Sequence, residues 1–482
     1  MNLGIISRYV GIALICNAGF MLLSAAVSAI YGFDSAFSPL LLSSLITFLF
    51  GIFPLIFVRG GKDINIREGL AILIAAWLLS CIFGMLPYIL WGGEFSVVNA
   101  WFESSSGITT SGATILNDIE SLPHGLLFWR SSTHYIGGLG VVVFMIMILP
   151  SFGSVRFRMS KMEVMDISKD NYHYVTDKFI RVVVTVYLGL TAAAILALTL
   201  AGMPFFDAVN HAFSVCATGG FSTKNASIAA YNSVTIEIIL MVFMILASLH
   251  FGLIYASFAS RSFKVFQNPV TKFYLATILV MSVAVGLNLL FGGVVKGFGN
   301  SMRLSFFEVI STISTTGFAI TDTNPWPVFS TIILMVAAIQ CGCSGSTTSG
   351  LRSDRVWIVN LAARAQIIKL AHPNAVVQVR SGKSLVDSDL LGSVTMYVLL
   401  YALLTIFFAL IYSFFGFNFL ETINVSIAMM SNIGPATGSM GTMANYAAVA
   451  PLAKWIMGLQ MIIGRLGIYS ALMVLTIFDR RH

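Results

Sequence analysis

A chain of 482 residues that is 57% hydrophobic and only 10% charged, with a mean hydropathy of +0.89, lies outside the soluble globular class, where about a quarter of residues carry charge. Apolar segments of about 20 residues, the length a helix needs to cross a bilayer core, recur throughout, so the composition describes an all-α polytopic membrane protein. The net charge of +7 does not point to nucleic acid, because its distribution follows a membrane, and five cysteines imply no disulfide framework.

Residues 1–68 hold two apolar segments, 3–30 and 36–58, read as an N-terminal two-helix hairpin. Arg8, the apolar run after it and Val27-Ser28-Ala29 have the outline of a secretory signal, but the hairpin is expected to be retained as an anchor. Residues 69–180 follow as a first repeat and a loop. Ala71–Trp91 crosses outward, Val98–Gly107 re-enters as a short helix, Thr109–Thr114 turns, and His134–Pro150 crosses back. Gly137-Gly138-Leu139-Gly140 lacks the strand and the acidic partner of a dinucleotide loop, so close helix packing is expected there. The polar stretch 151–180 suits either a connecting loop or a docking surface.

Residues 181–271 repeat the plan: Val182–Ala201 out, Phe206–Cys216 short, Ala217–Thr223 turning, Ile236–Ser260 back. Residues 272–389 repeat it again, with Phe273–Phe291, Phe306–Ile313 and Ser314–Ile320. Here the return helix Thr331–Gln340 is interrupted by Cys341-Gly-Cys-Ser-Gly-Ser-Thr-Thr-Ser-Gly350 before Val356–Ala363, and 364–389 form a second charged loop. Cys341 and Cys343 are two thiols without a second pair, so small-residue packing outweighs a metal reading. Residues 390–482 form the fourth unit: Leu390–Phe415, Glu421–Met430, Ser431–Thr437 and Leu452–Phe478.

Four glycines mark the repeat. Thr110-Ser111-Gly112, Thr218-Gly219-Gly220, Thr315-Thr316-Gly317 and Asn432-Ile433-Gly434 place them 108, 97 and 117 residues apart, each behind a short helix. Two crossings per unit is an even number, so four parallel, pseudo-fourfold helix–pore-loop–helix repeats can surround one central pore with their turns converging on it. With the N-terminus inside and ten crossings, 21 of 27 basic residues fall on the cytoplasmic side, which sets the orientation with both termini cytoplasmic. The outer face, where the turns lie, keeps five basic residues (Arg130 among them) against ten acidic ones and favours cations.

Rings of backbone carbonyls can replace the water of a dehydrated potassium ion, and glycine cheaply allows the conformations that point carbonyls inward. The C-terminal ends of the short helices add partial negative charge toward the axis. Thr110, Thr114, Thr218, Thr315 and Thr316 could add hydroxyls or pack behind the turns. Glu103, His211 and Glu308 stand nine residues before their glycines, placed either for pore electrostatics or for hydrogen bonding behind the filter. The stretch holding Gly342, Ser344, Gly345, Ser346, Thr347, Thr348 and Gly350 is too polar to face lipid and is a gate candidate. Arg465, inside the last apolar segment, would repel cations on the axis and could hydrogen-bond that stretch, pinning it shut; the alternative is a buried arginine paired with carbonyls for stability alone.

These residues resemble the Trk/Ktr/HKT superfamily of potassium transporters, most closely the membrane subunits of bacterial Trk systems, over essentially the whole chain. The resemblance implies a potassium path lined by Gly112, Gly220, Gly317 and Gly434. It also implies a gating loop over Gly342–Gly350 and a pore arginine at Arg465. Members with serine at the first filter position tend to pass sodium, so Gly112 implies potassium selectivity. Residence in the bacterial inner membrane, a homodimer with one pore per protomer and a cytoplasmic nucleotide-binding regulatory subunit with RCK domains (TrkA-like) are implied as well. The resemblance implies potassium as the transported ion, no covalent cofactor is expected, and the protein is not expected to be an enzyme. Asn432-Ile433 and Pro435 depart from the pattern of the other turns, so the filter is not strictly fourfold. A symporter coupled to protons or sodium is the alternative. It would need titratable groups in the path, and the apolar segments offer His134, Glu237 and His250 near their ends.

Overall fold

The computed structural model describes residues 2–58, 65–148, 176–375, 377–382, 384–436 and 438–473, so most of the polar loop 151–180 lies outside the described residues. The chain is an all-α polytopic membrane protein. Helices α1 (Leu3–Ile30) and α2 (Phe37–Phe57) form the hairpin. They approach closely because Gly11 and Gly51 face one another, so that a Cβ on either would strike the other's backbone. Arg8 donates to the Leu55 and Val58 carbonyls at the C-terminal end of α2, where a cation is favoured.

Next come α3 (Ile66–Gly84), α4 (Leu86–Trp91), the short α5 (Val97–Ile108) and α6 (His124–Ile148). Then follow α7 (Thr176–Leu200), the short α8 (Phe205–Cys216), α9 (Val234–Ser248), α10 (Phe251–Ala259) and α11 (Lys264–Gln267). The third group is α12 (Pro269–Phe291), the short α13 (Phe298–Ile313), α14 (Val328–Gln340) and α15 (Ser353–Ala371). A two-residue ribbon, β1 (Arg380–Ser381) with β2 (Ser384–Leu385), precedes α16 (Ser388–Ser413), the short α17 (Phe419–Ser431), α18 (Pro451–Leu466) and α19 (Ile468–Leu472).

Among the described residues, six spans are long and apolar enough to cross a membrane, and α9 with α10 makes up to seven. The sequence led us to expect ten crossings. The return helices of the third and fourth repeats are interrupted, between α14 and α15 and between α18 and α19. The sequence also led us to expect one continuous return helix over Ile236–Ser260, whereas the chain leaves helical geometry at Leu249-His250 and bends by 102°. The fourth return helix stops at Leu466, where Gly467 takes φ +83°, and resumes as α19. Helix α6 begins at His124, ten residues before the expected start. Its Arg130-Ser-Ser-Thr-His134 segment looks like loop in sequence, yet all five side chains are buried. The third short helix starts at Phe298 rather than Phe306, because the buried Ser301 and Ser305 in its first turns dilute the apolar pattern.

Two large buried clusters flank the centre. One joins Tyr187, Phe251, Tyr274 and Phe307, and the other joins Tyr88, Phe102, Trp129, Tyr412 and Tyr446. Each cluster mixes distant parts of the chain, so the short helices are held between outer spans. Gly137 and Gly138 let α6 press against Ile108 and Ala217 at the ends of two short helices.

Candidate ion pathway

All four short helices end in the same way. The N–H groups of Ser111, Gly219, Thr316 and Ile433 bond the carbonyls five residues back: Ser106 at 2.8 Å, Ser214 at 2.9 Å, Ser311 at 2.9 Å and Ala428 at 3.0 Å. This is a Schellman closure, whose left-handed residue is usually glycine. Here it is Thr110 (φ +59°), Thr218 (φ +55°), Thr315 (φ +57°) or Asn432 (φ +54°). Asparagine tolerates that region, but a β-branched residue there stores strain of about 1–3 kcal/mol. Two residues on, Gly112, Gly220, Gly317 and Gly434 return to positive φ between +76° and +88°. The residue between has negative φ in each turn. Mirror-image conformations in alternation rotate successive peptide planes so that their carbonyls face one side.

The four turns form a closed ring. A Cβ on Gly112 would overlap the Gly219 carbonyl oxygen, one on Gly220 that of Thr316, and one on Gly317 that of Ile433; a Cβ on Gly434 would press on the Ser111 oxygen. Each turn therefore abuts the next in chain order, and the last abuts the first. Only glycine fits such an approach. Every predicted turn residue, 110–112, 218–220, 315–317 and 432–434, is brought to this ring.

The side chains divide between the ring and its support. Thr218 Oγ1 donates to the Ala217 carbonyl (2.7 Å), Thr316 Oγ1 pairs with Ser314 Oγ (2.8 Å), and Thr114 Oγ1 donates to the Glu103 carboxylate (3.0 Å). Thr110 Oγ1, Ser111 Oγ and both polar atoms of Asn432 are buried with no hydrogen-bond partner among the described residues. The Asn432 amide lies against Gly464 of α18 and the Thr110 side chain against Gly137 of α6.

Behind the ring, Glu103 and Glu308 each accept the backbone N–H three residues past the glycine, Ile115 at 3.0 Å and Ile320 at 2.9 Å. His211 Nε2 meets Ser222 Oγ at 2.9 Å in the second turn. The column nine residues before the first three glycines thus braces the limb that leaves the turn, and Val425 takes the place in the fourth. Arg130, expected in an outer loop, is 1% exposed and pairs with Glu103 at 2.9 Å. Its guanidinium also donates to the Ser222 carbonyl (3.3 Å) and lies 4.1 Å over the Phe221 ring, tying the first turn to the second. The fourth joins the first through Tyr446, whose N–H donates to the Thr114 carbonyl (2.8 Å) and whose hydroxyl donates to that of Gly434 (2.7 Å). Neither Arg130 nor Tyr446 was legible as a ring support; the one sequence signal was an arginine inside an otherwise uncharged segment.

Below the ring, residues 341–352 leave the helix between α14 and α15, with positive φ at Cys341, Gly345, Gly350 and Arg352. Gly342, Ser344, Gly345, Ser346, Thr347, Thr348 and Gly350 are all predicted gate residues, and all lie in this one loop. Ser344 N–H donates to the Asp354 carboxylate and Ser346 Oγ to the Cys343 carbonyl (2.6 Å). Thr347 Oγ1 reaches the Cys216 carbonyl (3.1 Å) at the end of α8 and the Ala247 carbonyl (3.2 Å) at the end of α9. Two backbone bonds join the loop to the bend in the second return helix: Cys343 N–H to the Ser248 carbonyl (2.9 Å) and Phe251 N–H to that of Gly345 (3.0 Å). Arg465, 3% exposed, donates to the Thr347 carbonyl and Ser349 Oγ, both at 2.7 Å, and to the Gly137 carbonyl at 3.1 Å. Cys341 and Cys343 are free, buried thiols within the loop.

Residues 46–479 match the family model for TrkH, described as cation transport protein. The Trk system potassium uptake protein TrkH of Salmonella typhimurium is 32% identical over 481 residues, 99% of each chain. The Trk system potassium uptake protein TrkG of Escherichia coli is 31% identical over 427 residues, 87% of each. The crystal structure of the potassium transporter TrkH from Vibrio parahaemolyticus superposes with a TM-score of 0.90 at 29% identity, covering 99% of this chain and all of that one. With the ring and the interrupted helix in place, these matches show that the chain belongs to the TrkH family of cation transport proteins.

Proposed function

We propose that the ring of turns is the selectivity filter of a potassium-uptake pathway through the bacterial inner membrane, gated by loop 341–352 and Arg465. The closed contact of four glycine turns carries this reading, since it places backbone carbonyls from all four quarters of the chain at one locus. The helix C-termini behind the turns add negative potential there. The relatives are potassium-uptake proteins by name, which supports potassium as the ion.

The gate reading rests on the hydrogen bonds that fasten the loop across the route below the ring, with a guanidinium at its centre. In this reading both termini face the cytoplasm, and the units run over 1–68, 69–180, 181–271, 272–389 and 390–482. An RCK-type nucleotide-binding subunit, acting on a homodimer, would move the loop from the cytoplasmic side through α15. We take passive conduction over coupling, since each titratable group near the segment ends is held by a partner through one polar atom, while His134 Nε2 and Glu237 Oε2 are buried with no hydrogen-bond partner among the described residues. Glu237 pairs with Arg303 (3.5 Å), His250 caps Gly252 N–H (3.0 Å), and His134 bonds Ser214 Oγ (3.0 Å) while stacking on Phe221.

Rubidium uptake into proteoliposomes, with no proton or sodium gradient imposed and sodium as competitor, tests the reading. Uptake that sodium barely inhibits supports a passive selective pathway. Uptake that appears only with a second gradient replaces it with a symporter.

A further inference from the structure

The first and third short helices carry a buried glutamate at the same place, and the two differ in what faces it. Glu103 and Glu308 stand nine residues before their glycines, both buried, each accepting the N–H three residues past the glycine. Eighteen residues past Gly112 stands Arg130, whose guanidinium lies between Glu103 and the second turn, against Phe221 and Ser222. Eighteen residues past Gly317 stands Met335. The residues equivalent to Phe221 and Ser222 in the next turn are Pro435 and Ala436.

Glu308, Met335, Pro435 and Ala436 line one cavity of about 50 Å³, directly behind Gly317, with Thr312 and Thr331 on its wall. The place that a guanidinium fills between the first two turns is therefore a cavity between the last two. No lysine, arginine or histidine forms an ion pair with Glu308 among the described residues. An ionised carboxylate in such a position requires a compensating charge. The cavity has room for an ion with a water, and its oxygens are hard ligands that suit an alkali cation.

We propose that this cavity is a monovalent alkali-cation site off the pathway axis, whose occupant neutralises Glu308 as Arg130 neutralises Glu103. This goes beyond the pathway reading, because the site lies behind the ring rather than within it. Its occupant would set the position of Gly317 and Ile320, and so couple ion composition to the shape of the third turn.

The test is anomalous diffraction from crystals of the full chain grown in rubidium or thallium. One peak beside Glu308, separate from any peaks enclosed by the ring, is expected, and it should vanish when the cation is exchanged for N-methylglucamine. Glu308→Gln keeps an acceptor for Ile320 N–H and should abolish that peak alone; Met335→Arg should abolish it by supplying the guanidinium. Ring peaks with nothing beside Glu308 would overturn the proposal and leave the filter reading standing. A peak beside Glu308 without ring peaks would do the reverse. An infrared carbonyl band of a neutral acid, present in rubidium and lost in Glu308→Gln, would also overturn it by showing that a proton occupies the carboxyl.

Discussion

Removing Arg465 should release the loop, and the structure sets the size of the effect. The guanidinium makes two 2.7 Å bonds to the loop, at Thr347 O and Ser349 Oγ; the third goes to α6 and does not bear on the loop. Hydrogen bonds to a charged group contribute a net of about 1.5–3 kcal/mol each. Water entering the route replaces part of both when the side chain goes, so one bond's worth is the working figure, a shift of roughly 10- to 150-fold toward the released state. Arg465→Ala should therefore raise rubidium flux per incorporated protein by at least about tenfold. Arg465→Lys separates two mechanisms, since it keeps the charge but loses the fork that spans two acceptors. If repulsion of cations alone closes the route, lysine should conduct like arginine; if the latch matters, lysine should fall between arginine and alanine. Flux is read in proteoliposomes and normalised to total ionophore-released rubidium. Wild-type flux in Arg465→Ala at equal incorporation would refute the latch.

Three other outcomes follow from the same geometry. Gly317→Ser puts a Cβ onto the Ile433 carbonyl at a φ of +76°, a left-handed cost of about 1–2 kcal/mol before the clash, and should cut discrimination against sodium by about tenfold in competition uptake. Arg130→Gln leaves Glu103 buried without its partner and should lower the thermal midpoint as a loss of about 3–5 kcal/mol, whereas the double change Glu103→Gln/Arg130→Met should recover much of it in a melting assay. His250→Pro fits the bent geometry, since His250 has φ −63° and Leu249 is extended, but it forbids a continuous helix; it should keep flux low even in an Arg465→Ala background, and full flux in the double variant would contradict a role for the bend.

Much of the fold was legible because lipid imposes a simple rule: long apolar runs, basic residues on one side, and a glycine wherever backbones converge. The ring turns were legible as glycines, but not as Schellman closures with threonine in the left-handed position, since nothing in Thr-x-Gly distinguishes a strained threonine from a relaxed one. The supports escaped for a different reason. Arg130 and Tyr446 meet their partners across repeats, at separations that follow from how the four units close on each other. The bend at Leu249-His250 has no proline to announce it and only Gly252 just beyond it, because its cause lies in another part of the chain.

That cause is an exchange of hydrogen bonds. In a continuous helix Phe251 N–H would reach the Ala247 carbonyl and Gly252 N–H that of Ser248. Here Thr347 Oγ1 and Cys343 N–H occupy those two carbonyls, the Gly345 carbonyl takes Phe251 N–H, and the His250 ring takes Gly252 N–H. All four of these groups are thus satisfied, three of them by the loop. Buried backbone groups left unpaired at membrane depth are costly, so the loop cannot leave while the bend persists unless water takes its place. Straightening α9 into α10 would pair the same four groups with one another and remove the loop's anchorage in a single step. On the proposed gate reading, the broken helix of one repeat and the interrupted helix of the next would move as one element, because they share these four groups. A signal that pulled on α15 would then act on both, and the loop's release would be made cheaper by the helical bonds that re-form between α9 and α10.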